Sequence, residues 1–168
     1  MSESKSNVPK LRFPGFTDPW EQRKLGDVAS EFQSGEFIPA SDISESGAYP
    51  VYGGNGLRGY TNRYNHDGFY ALIGRQGALC GNVNSSDGKA YFTEHAVAVQ
   101  ANNNNDTAFL VYLLGRMNLG QYSGQSAQPG LAVGTLKAIK ASLPIAAEQH
   151  LIGAFFRDVD SLIALRQR

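Results

Sequence analysis

The last stretch of the chain, Pro144–Arg168, reads PIAAEQHLIGAFFRDVDSLIALRQR. At about 100° per residue, Leu151, Ile152, Phe155, Phe156, Val159, Leu162 and Ile163 share one face of a helix. Gly153, Arg157, Asp160, Ala164 and Arg168 fall on the other side. Ile152, Phe155, Val159 and Leu162 alternate in steps of three and four, the spacing of a heptad seam. A helix from Ala146 onward is therefore expected, ~30 Å long at ~1.5 Å per residue. Pro144 supplies a start signal, and no Gly, Asn or Pro comes after Leu165 to stop it. The near part of the stripe, Leu151, Ile152, Phe155 and Phe156, is expected to pack on the protein's own domain. Farther on, Arg166 falls within the apolar face, where a buried core does not put an unpaired charge. The outer half is thus expected to meet another helix or water, with Phe155, Val159, Leu162, Ile163 and Arg166 as the partner surface.

The rest of the chain reads as one ordinary domain. Its 168 residues are enough to bury a core, and its 19 glycines point to a middle rich in strands and turns. The longest apolar run, Ala108–Leu114, is too short to span a bilayer. Residues 1–9 read as a polar, mobile tail without a signal-peptide core. The single cysteine, Cys80, excludes an intrachain disulfide and fits a reducing compartment, so the cytoplasm is expected. Net charge is zero, which argues against a non-specific polyanion binder. The charges are nevertheless segregated. Leu25–Pro50 holds five acids and no Lys or Arg, whereas Thr107–Ala147 holds Arg116, Lys137 and Lys140 and no acid. One basic side on an otherwise neutral surface fits this distribution.

Leu11-Arg-Phe-Pro-Gly-Phe16 is an extended segment whose aromatics, with Trp20, pin the N-terminus to the core. Leu25, Val28, Ala29 and Phe32 have helical spacing, predicting a short helix over 24–32. From Tyr49 to Gln100, short apolar segments alternate with Gly and Asn, predicting strands joined by tight turns; Asp67-Gly68 and Asp87-Gly88 are turn signals. Asn102–Asp106 ends in a residue that can cap a helix over 107–117. A glycine-rich loop over 120–134, a short helix over 135–139 and an extended 142–144 lead to the terminal helix.

Few motifs carry chemistry. Gly54-Asn-Gly56-Leu-Arg-Gly59 has dinucleotide-binding spacing, but the next residues, Tyr60–Tyr64, read as a strand or turn where that site needs a helix. Asp87-Gly-Lys89 reads as a turn. His66, His95 and His150 are too far apart to suggest a metal site with Cys80. Glu94-His95 could form an acid–base pair, but a hydrogen-bonded strand histidine explains it as well. Polar side chains on glycine loops stand out more. Asn55, Arg58, Tyr60, Asn62 and Arg63 share one turn; Arg75 and Gln76 sit in another; Gln125, Ser126 and Gln128 lie in the late loop. Arg, Asn and Gln make bidentate contacts to guanine and adenine edges, and glycines let backbone approach a groove.

The order of segments also resembles one half of the specificity subunit of a type I restriction–modification enzyme. The resemblance rests on Leu11–Phe16 before Trp20, Lys24-Leu-Gly-Asp-Val28, Tyr49-Pro-Val-Tyr-Gly-Gly-Asn-Gly56 with Gly59-Tyr60, and Ile73-Gly-Arg-Gln-Gly77. It continues through Gln125–Pro129, Leu143-Pro-Ile145, Glu148-Gln149, Ile152-Gly-Ala-Phe-Phe156, Asp160 and Ile163-Ala-Leu165.

That resemblance implies an α+β fold: a β-rich target-recognition domain, wound like a double β-helix, over 10–144, then the start of a spacer helix over 145–168. It implies a non-catalytic subunit that reads one half of a split DNA site. S-adenosylmethionine and ATP would be bound by partner subunits, not by this chain. The implied partners are double-stranded DNA, modification subunits, and through them a restriction subunit. Family members carry two recognition domains and two antiparallel helices, so a half-subunit pairing through its helix, a truncated product or a fragment all fit. Base readers would be Asn55, Arg58, Tyr60, Arg63, Arg75, Gln76, Gln125, Ser126 and Gln128; phosphate contacts would be Lys89, Arg116, Lys137 and Lys140. Two rivals stay open: an assembly module with no DNA contact, and a small enzyme built on Asp87, Glu94 and His95.

Overall fold

The computed structural model describes residues 8–125, 127 and 129–168. Among these residues there are ten strands: β1 (Glu21–Lys24), β2 (Ala29–Ser34), β3 (Tyr49–Gly53), β4 (Gly56–Thr61), β5 (His66–Asp67), β6 (Tyr70–Gly74), β7 (Val83–Ser86), β8 (Lys89–Phe92), β9 (Ala96–Ala101) and β10 (Lys140–Leu143). Three α-helices join them: α1 (Thr107–Arg116), α2 (Val133–Ala138) and α3 (Ala146–Arg166). The strands form a two-stranded sheet β1-β10 and two four-stranded sheets, β2-β9-β6-β7 and β4-β3-β8-β5. The α+β class and the long terminal helix expected from the sequence are what the chain forms.

The β2-β9-β6-β7 sheet is buried on both sides, and its period-two alternation shows how. Ala71 and Ile73 of β6 and Val97 and Val99 of β9 point to one core with Phe109, Leu110 and Leu114 of α1. Tyr70 and Leu72 of β6 and Ala96 and Ala98 of β9 point the other way, onto Phe92 of β8. Two such faces explain why β6 reads as an unbroken apolar run. Across the second face, His66 of β5 stacks on Phe92 at 4.4 Å. Its Nε2 lies 2.6 Å from Glu31 Oε1, and Tyr70 donates to Glu31 Oε2 at 2.9 Å, tying β2, β5 and β6 together.

One expected helix does not form. Only Leu25–Val28 turns, as a single 3-10 segment, and Ala29–Ser34 continues as β2. Leu25 and Val28 keep their helical offset and are buried beneath α2, but Phe32 instead alternates along a strand paired with Val99. Ladder pairing with β9 outweighs a spacing that local sequence leaves ambiguous. The helix expected over 135–139 starts earlier, at Val133, and ends at Ala138. The helix over 107–117 is capped as read: Asp106 Oδ1 accepts from the Phe109 N–H at 2.8 Å.

The terminal helix spans the expected residues but turns a different face inward. Buried on α3 are Glu148, Gln149 and Gly153, with Ile152 packed against the core. Leu151, Phe155 and Phe156, expected to pack on the domain, remain 43%, 51% and 42% exposed, although Phe155 meets Phe13 and Phe156 meets Tyr112. Gly153 decides the rotation. A Cβ there would lie 2.9 Å from both Asp106 Oδ1 and the Phe109 nitrogen, so α1 begins directly against α3 at this residue. The polar side chains turned inward are satisfied. Gln149 Oε1 accepts from Asp106 N at 3.0 Å, while its Nε2 donates to Asn105 Oδ1 at 2.8 Å and to Pro144 O at 2.9 Å. Buried polar groups with partners cost little, so the outer part of the apolar stripe, with Leu162 and Ile163, is left facing outward.

The N-terminal strap lies beside this helix. Phe13 meets Phe155 edge-on at 5.9 Å, and Trp20 meets Phe109 at 6.0 Å, as the sequence reading of anchoring aromatics expects.

Candidate nucleic-acid interface

The parallel pairing of β3 with β8, unique among the described ladders, sets Tyr52 beside Phe92. Parallel strands finish at the same end, so the turns after both lie together; Thr93 N donates to Tyr52 O at 2.9 Å. Strand β6 ends there too, since Gly74 pairs with Ala96 at the start of β9. A fourth segment joins them. The Arg75 and Gly77 backbone exchanges hydrogen bonds with residues 129–131, with Gly77 N to Pro129 O at 3.1 Å and Leu131 N to Arg75 O at 2.8 Å.

These turns enclose a cleft of about 630 Å³, lined by Gly54, Asn55, Arg58, Gln76, Gly77, His95, Pro129 and Gly130. Glycine is required at its floor. A Cβ on Gly74 would fall 2.1 Å from Gly54 O, so the two turns cross in direct backbone contact. Beside them the stem of Arg58 lies over Gly53, where a Cβ would meet Arg58 Cδ at 2.6 Å. The exposed guanidinium of Arg58 is thereby held on the cleft wall by its own packed stem. Asn55 and Gln76 are exposed at the rim.

The other candidates lie behind the cleft wall or away from it. Arg75 stands behind the wall, half-buried, donating from Nε to Leu131 O at 3.2 Å and from a terminal nitrogen to Ser34 Oγ at 3.2 Å. It ties the 129–131 segment to β2. Tyr60 is half-buried on β4, its backbone paired both ways with Ser44. Arg63 is occupied, 3.1 Å from Asp42 Oδ2 and with its guanidinium carbon 5.5 Å from the Tyr91 ring centre. Gln125 is exposed in the late loop but does not line the cleft, and Ser126 and Gln128 lie outside the described residues.

The basic residues are spread over the surface. Lys89 sits 4.9 Å over the Tyr64 ring. Arg116 lines a separate groove of about 750 Å³ with Asn84, Ser85, Tyr112 and Asp160. Lys137 packs its stem on Gly26, and Lys140 lies directly opposite Lys24 in the β1-β10 ladder. On α3, Phe155, Leu162 and Ile163 are 51%, 62% and 50% exposed, Val159 is half-buried and Arg166 is exposed. Asp87 occupies the turn after β7, its neighbour Gly88 exchanging backbone bonds with Gly68, and does not line the cleft that His95 enters. Among the described residues no group of three His, Cys, Asp or Glu could hold a metal ion, and no helix is long and apolar enough to cross a membrane.

Sequence reading missed two features, one in this cleft and one away from it. His95 enters the cleft because β3 and β8 run parallel, a long-range pairing with no local signal. Arg12 and Glu148 form an ion pair at 2.6 Å under the terminal helix. The glycine at 153, inside an otherwise good helix, was the available hint of close packing there.

Residues 17–168 match the model of a family described as type I restriction modification DNA specificity domain. The chain is 43% identical over 146 residues to the Type I restriction enzyme EcoprrI specificity subunit of Escherichia coli, covering 84% of this chain and 36% of that protein. It is 25% identical over 148 residues to a putative type I restriction enzyme specificity subunit of Haemophilus influenzae, covering 86% and 38% respectively. The chain thus spans somewhat over a third of the length of these relatives. In fold it is similar to the type I restriction–modification S subunit from M. genitalium, at a TM-score of 0.79 and 19% identity over 92% of this chain and 42% of that one. It is also similar to the HsdS subunit from Thermoanaerobacter tengcongensis, at a TM-score of 0.63 and 17% identity over 91% and 41%.

Proposed function

The chain belongs to the type I restriction modification DNA specificity domain family, and from that premise we propose that it reads one half of a split DNA site. The observation that carries the proposal is the cleft in which Asn55, Arg58 and Gln76 meet from two separate turns, closed by Pro129 and Gly130 of the late loop. All three are side chains able to make paired hydrogen bonds to base edges. Each good bidentate contact is worth ~1–3 kcal/mol of discrimination, so two or three specify a half-site. Arg75 acts from behind the cleft, tying the 129–131 segment to β2, Tyr60 and Arg63 stand away from it, and Gln125, Ser126 and Gln128 are proposed as further base readers.

Lys89, Arg116, Lys137 and Lys140 are read as phosphate contacts, which position a duplex without specifying it. They are few and dispersed, so a lone domain binds weakly and loses affinity steeply with salt. Tight binding comes from a second half-site or from modification subunits closing on the duplex. The exposed apolar stripe of α3, through Phe155, Val159, Leu162 and Ile163, serves assembly with a second specificity half and with those subunits. Restriction subunits join through the complex. The chemistry is the partners' own: S-adenosylmethionine and ATP are bound by them, this chain acts as their guide, and the assembly works in the cytoplasm. The two four-stranded sheets, stacked through Phe92, are read as the wound, double-β-helix-like core.

The test is selection of duplexes from a random library, followed by mobility shifts, with and without a modification subunit. Enrichment of one short half-site, lost in Arg58→Ala, supports the reading. Equal affinity for all sequences under both conditions overturns it and leaves an assembly module.

A further inference from the structure

His95 lines the same cleft as Asn55, Arg58 and Gln76, contributed by the turn between β8 and β9. Its position is fixed by backbone on both sides. The His95 carbonyl accepts from Arg75 N at 2.9 Å, and the His95 N–H donates to Thr93 Oγ1 at 3.3 Å. The imidazole is 40% exposed, and its Nε2 lies 3.3 Å from Glu94 Oε1. Glu94 Oε2 is buried and has no hydrogen-bond partner among the described residues. A carboxylate next to a side chain that lines a cleft for a polyanion repels the ligand unless a cation stands between them. His95 is placed to be that cation. The charged groups that face it are Glu94 in its own turn and Arg58 on β4, since the Arg75 guanidinium is turned away to Ser34 and Leu131.

Resting on the DNA-reading proposal above, we infer that His95 is itself a DNA contact, taking up a proton as the duplex enters, with Glu94 holding the imidazolium. An approaching phosphate or guanine acceptor adds negative charge and acceptor atoms, both of which favour the charged ring. Binding is then linked to protonation: the duplex is held more tightly at lower pH, and the pH dependence belongs to one residue. Glu94 keeps the ring from swinging out of the cleft and balances its charge.

The test uses the full chain and a duplex chosen by selection from a random library. Kd is measured from about pH 5.5 to 8.5, within the range in which histidine is the titrating side chain. For the wild type, Kd is expected to rise with pH, approaching about tenfold per unit for one linked proton. His95→Gln is expected to flatten the profile, and Glu94→Gln to move the rise to lower pH. His150→Gln, on the exposed start of α3, should keep the wild-type slope. Calorimetry of the wild type in two buffers of different ionisation enthalpy reads the same proton directly, should His95→Gln fold poorly. Sequence-selective binding with no proton uptake, or an unchanged slope in folded His95→Gln, overturns the role of His95 alone. Absence of any sequence preference at every pH overturns the DNA reading itself.

Discussion

Arg12 and Glu148, separated by 136 residues in sequence, form a two-pronged ion pair. Arg12 Nε donates to Glu148 Oε1 at 2.9 Å and a terminal nitrogen donates to Oε2 at 2.6 Å. The other terminal nitrogen donates to Asp18 O at 2.8 Å. The strap ahead of β1 is thus riveted to the first turn of α3. Hydrogen bonding to Glu148 raises the Arg12 pKa above its ordinary value against an opposing effect of burial, so the guanidinium stays charged at every working pH. The two partners are unequal. Glu148 is 1% exposed, while Arg12 stands nearer the surface and keeps Asp18 when its carboxylate is lost.

Arg12→Ala is therefore expected to lower the denaturation midpoint more than Glu148→Gln, because only the first leaves a buried carboxylate without a cation. Replacing both with Leu should recover part of the loss. Equal effects of the two single variants in urea titrations count against this ordering.

Glycines in the helices should respond with opposite signs. Gly153→Ala pushes a methyl to 2.9 Å from Asp106 Oδ1 and the Phe109 nitrogen, and both belong to the capped start of α1. Overpacking of that kind costs ~1–3 kcal/mol, more than the ~1 kcal/mol that alanine gains in a helix. Gly115→Ala in α1 meets open space and should gain most of that ~1 kcal/mol. Thermal unfolding of the two variants distinguishes the cases; a stabilised Gly153→Ala would show that α3 can roll away from α1.

Those residues also show where the sequence was legible. The extent of α3, the Asp106 cap and the strand-and-turn middle are local patterns and were readable. The inward face of α3 was not, because it is chosen by Gly153 and by the acceptors that Asp106, Asn105 and Pro144 offer to Gln149, all set by tertiary packing. The site divides similarly. Asn55, Arg58 and Gln76 were visible as polar residues on glycine turns, and β-pairing brings them to one cleft. Arg63 and Arg75 looked equivalent to Arg58 in sequence. Only the structure shows Arg63 held by Asp42 and Arg75 by Leu131 and Ser34.

That difference yields a prediction for duplex binding. Arg58→Ala removes an exposed guanidinium from the cleft and should cost ~1–3 kcal/mol of discrimination between the selected half-site and a scrambled one. Arg63→Ala should leave discrimination intact and lower stability slightly, since its partners are Asp42 and the Tyr91 ring. Competition mobility shifts measure the first effect and urea titration the second. The reverse pattern would move the reading surface from the cleft to the Arg63 side.

Two tyrosines tie the stability of the fold to alkaline pH. Burial, then the hydrogen bond to Glu31 and nearby negative charge, pushes the Tyr70 hydroxyl up to about 12 from its ordinary 10.0. Burial, then the hydrogen bond to Asp160, pushes Tyr112 up to about 12 from 10.0, partly offset by Arg157. In both cases the folded chain holds a proton that the unfolded chain releases sooner. Their contribution to stability is complete below pH 10.0 and is lost as pH rises towards about 12, because in that window the native state binds more protons than the unfolded one. Denaturant titrations across this range should show stability falling with pH, with a shallower fall in Tyr70→Phe and Tyr112→Phe. At neutral pH each variant forfeits a hydrogen bond to a carboxylate, less costly at the more exposed Tyr112–Asp160 pair than at Tyr70. Phenolate absorbance gives an independent reading: the late-ionising part of the titration should shrink in each variant. An alkaline slope unchanged in the double variant would assign the loss of stability to other groups.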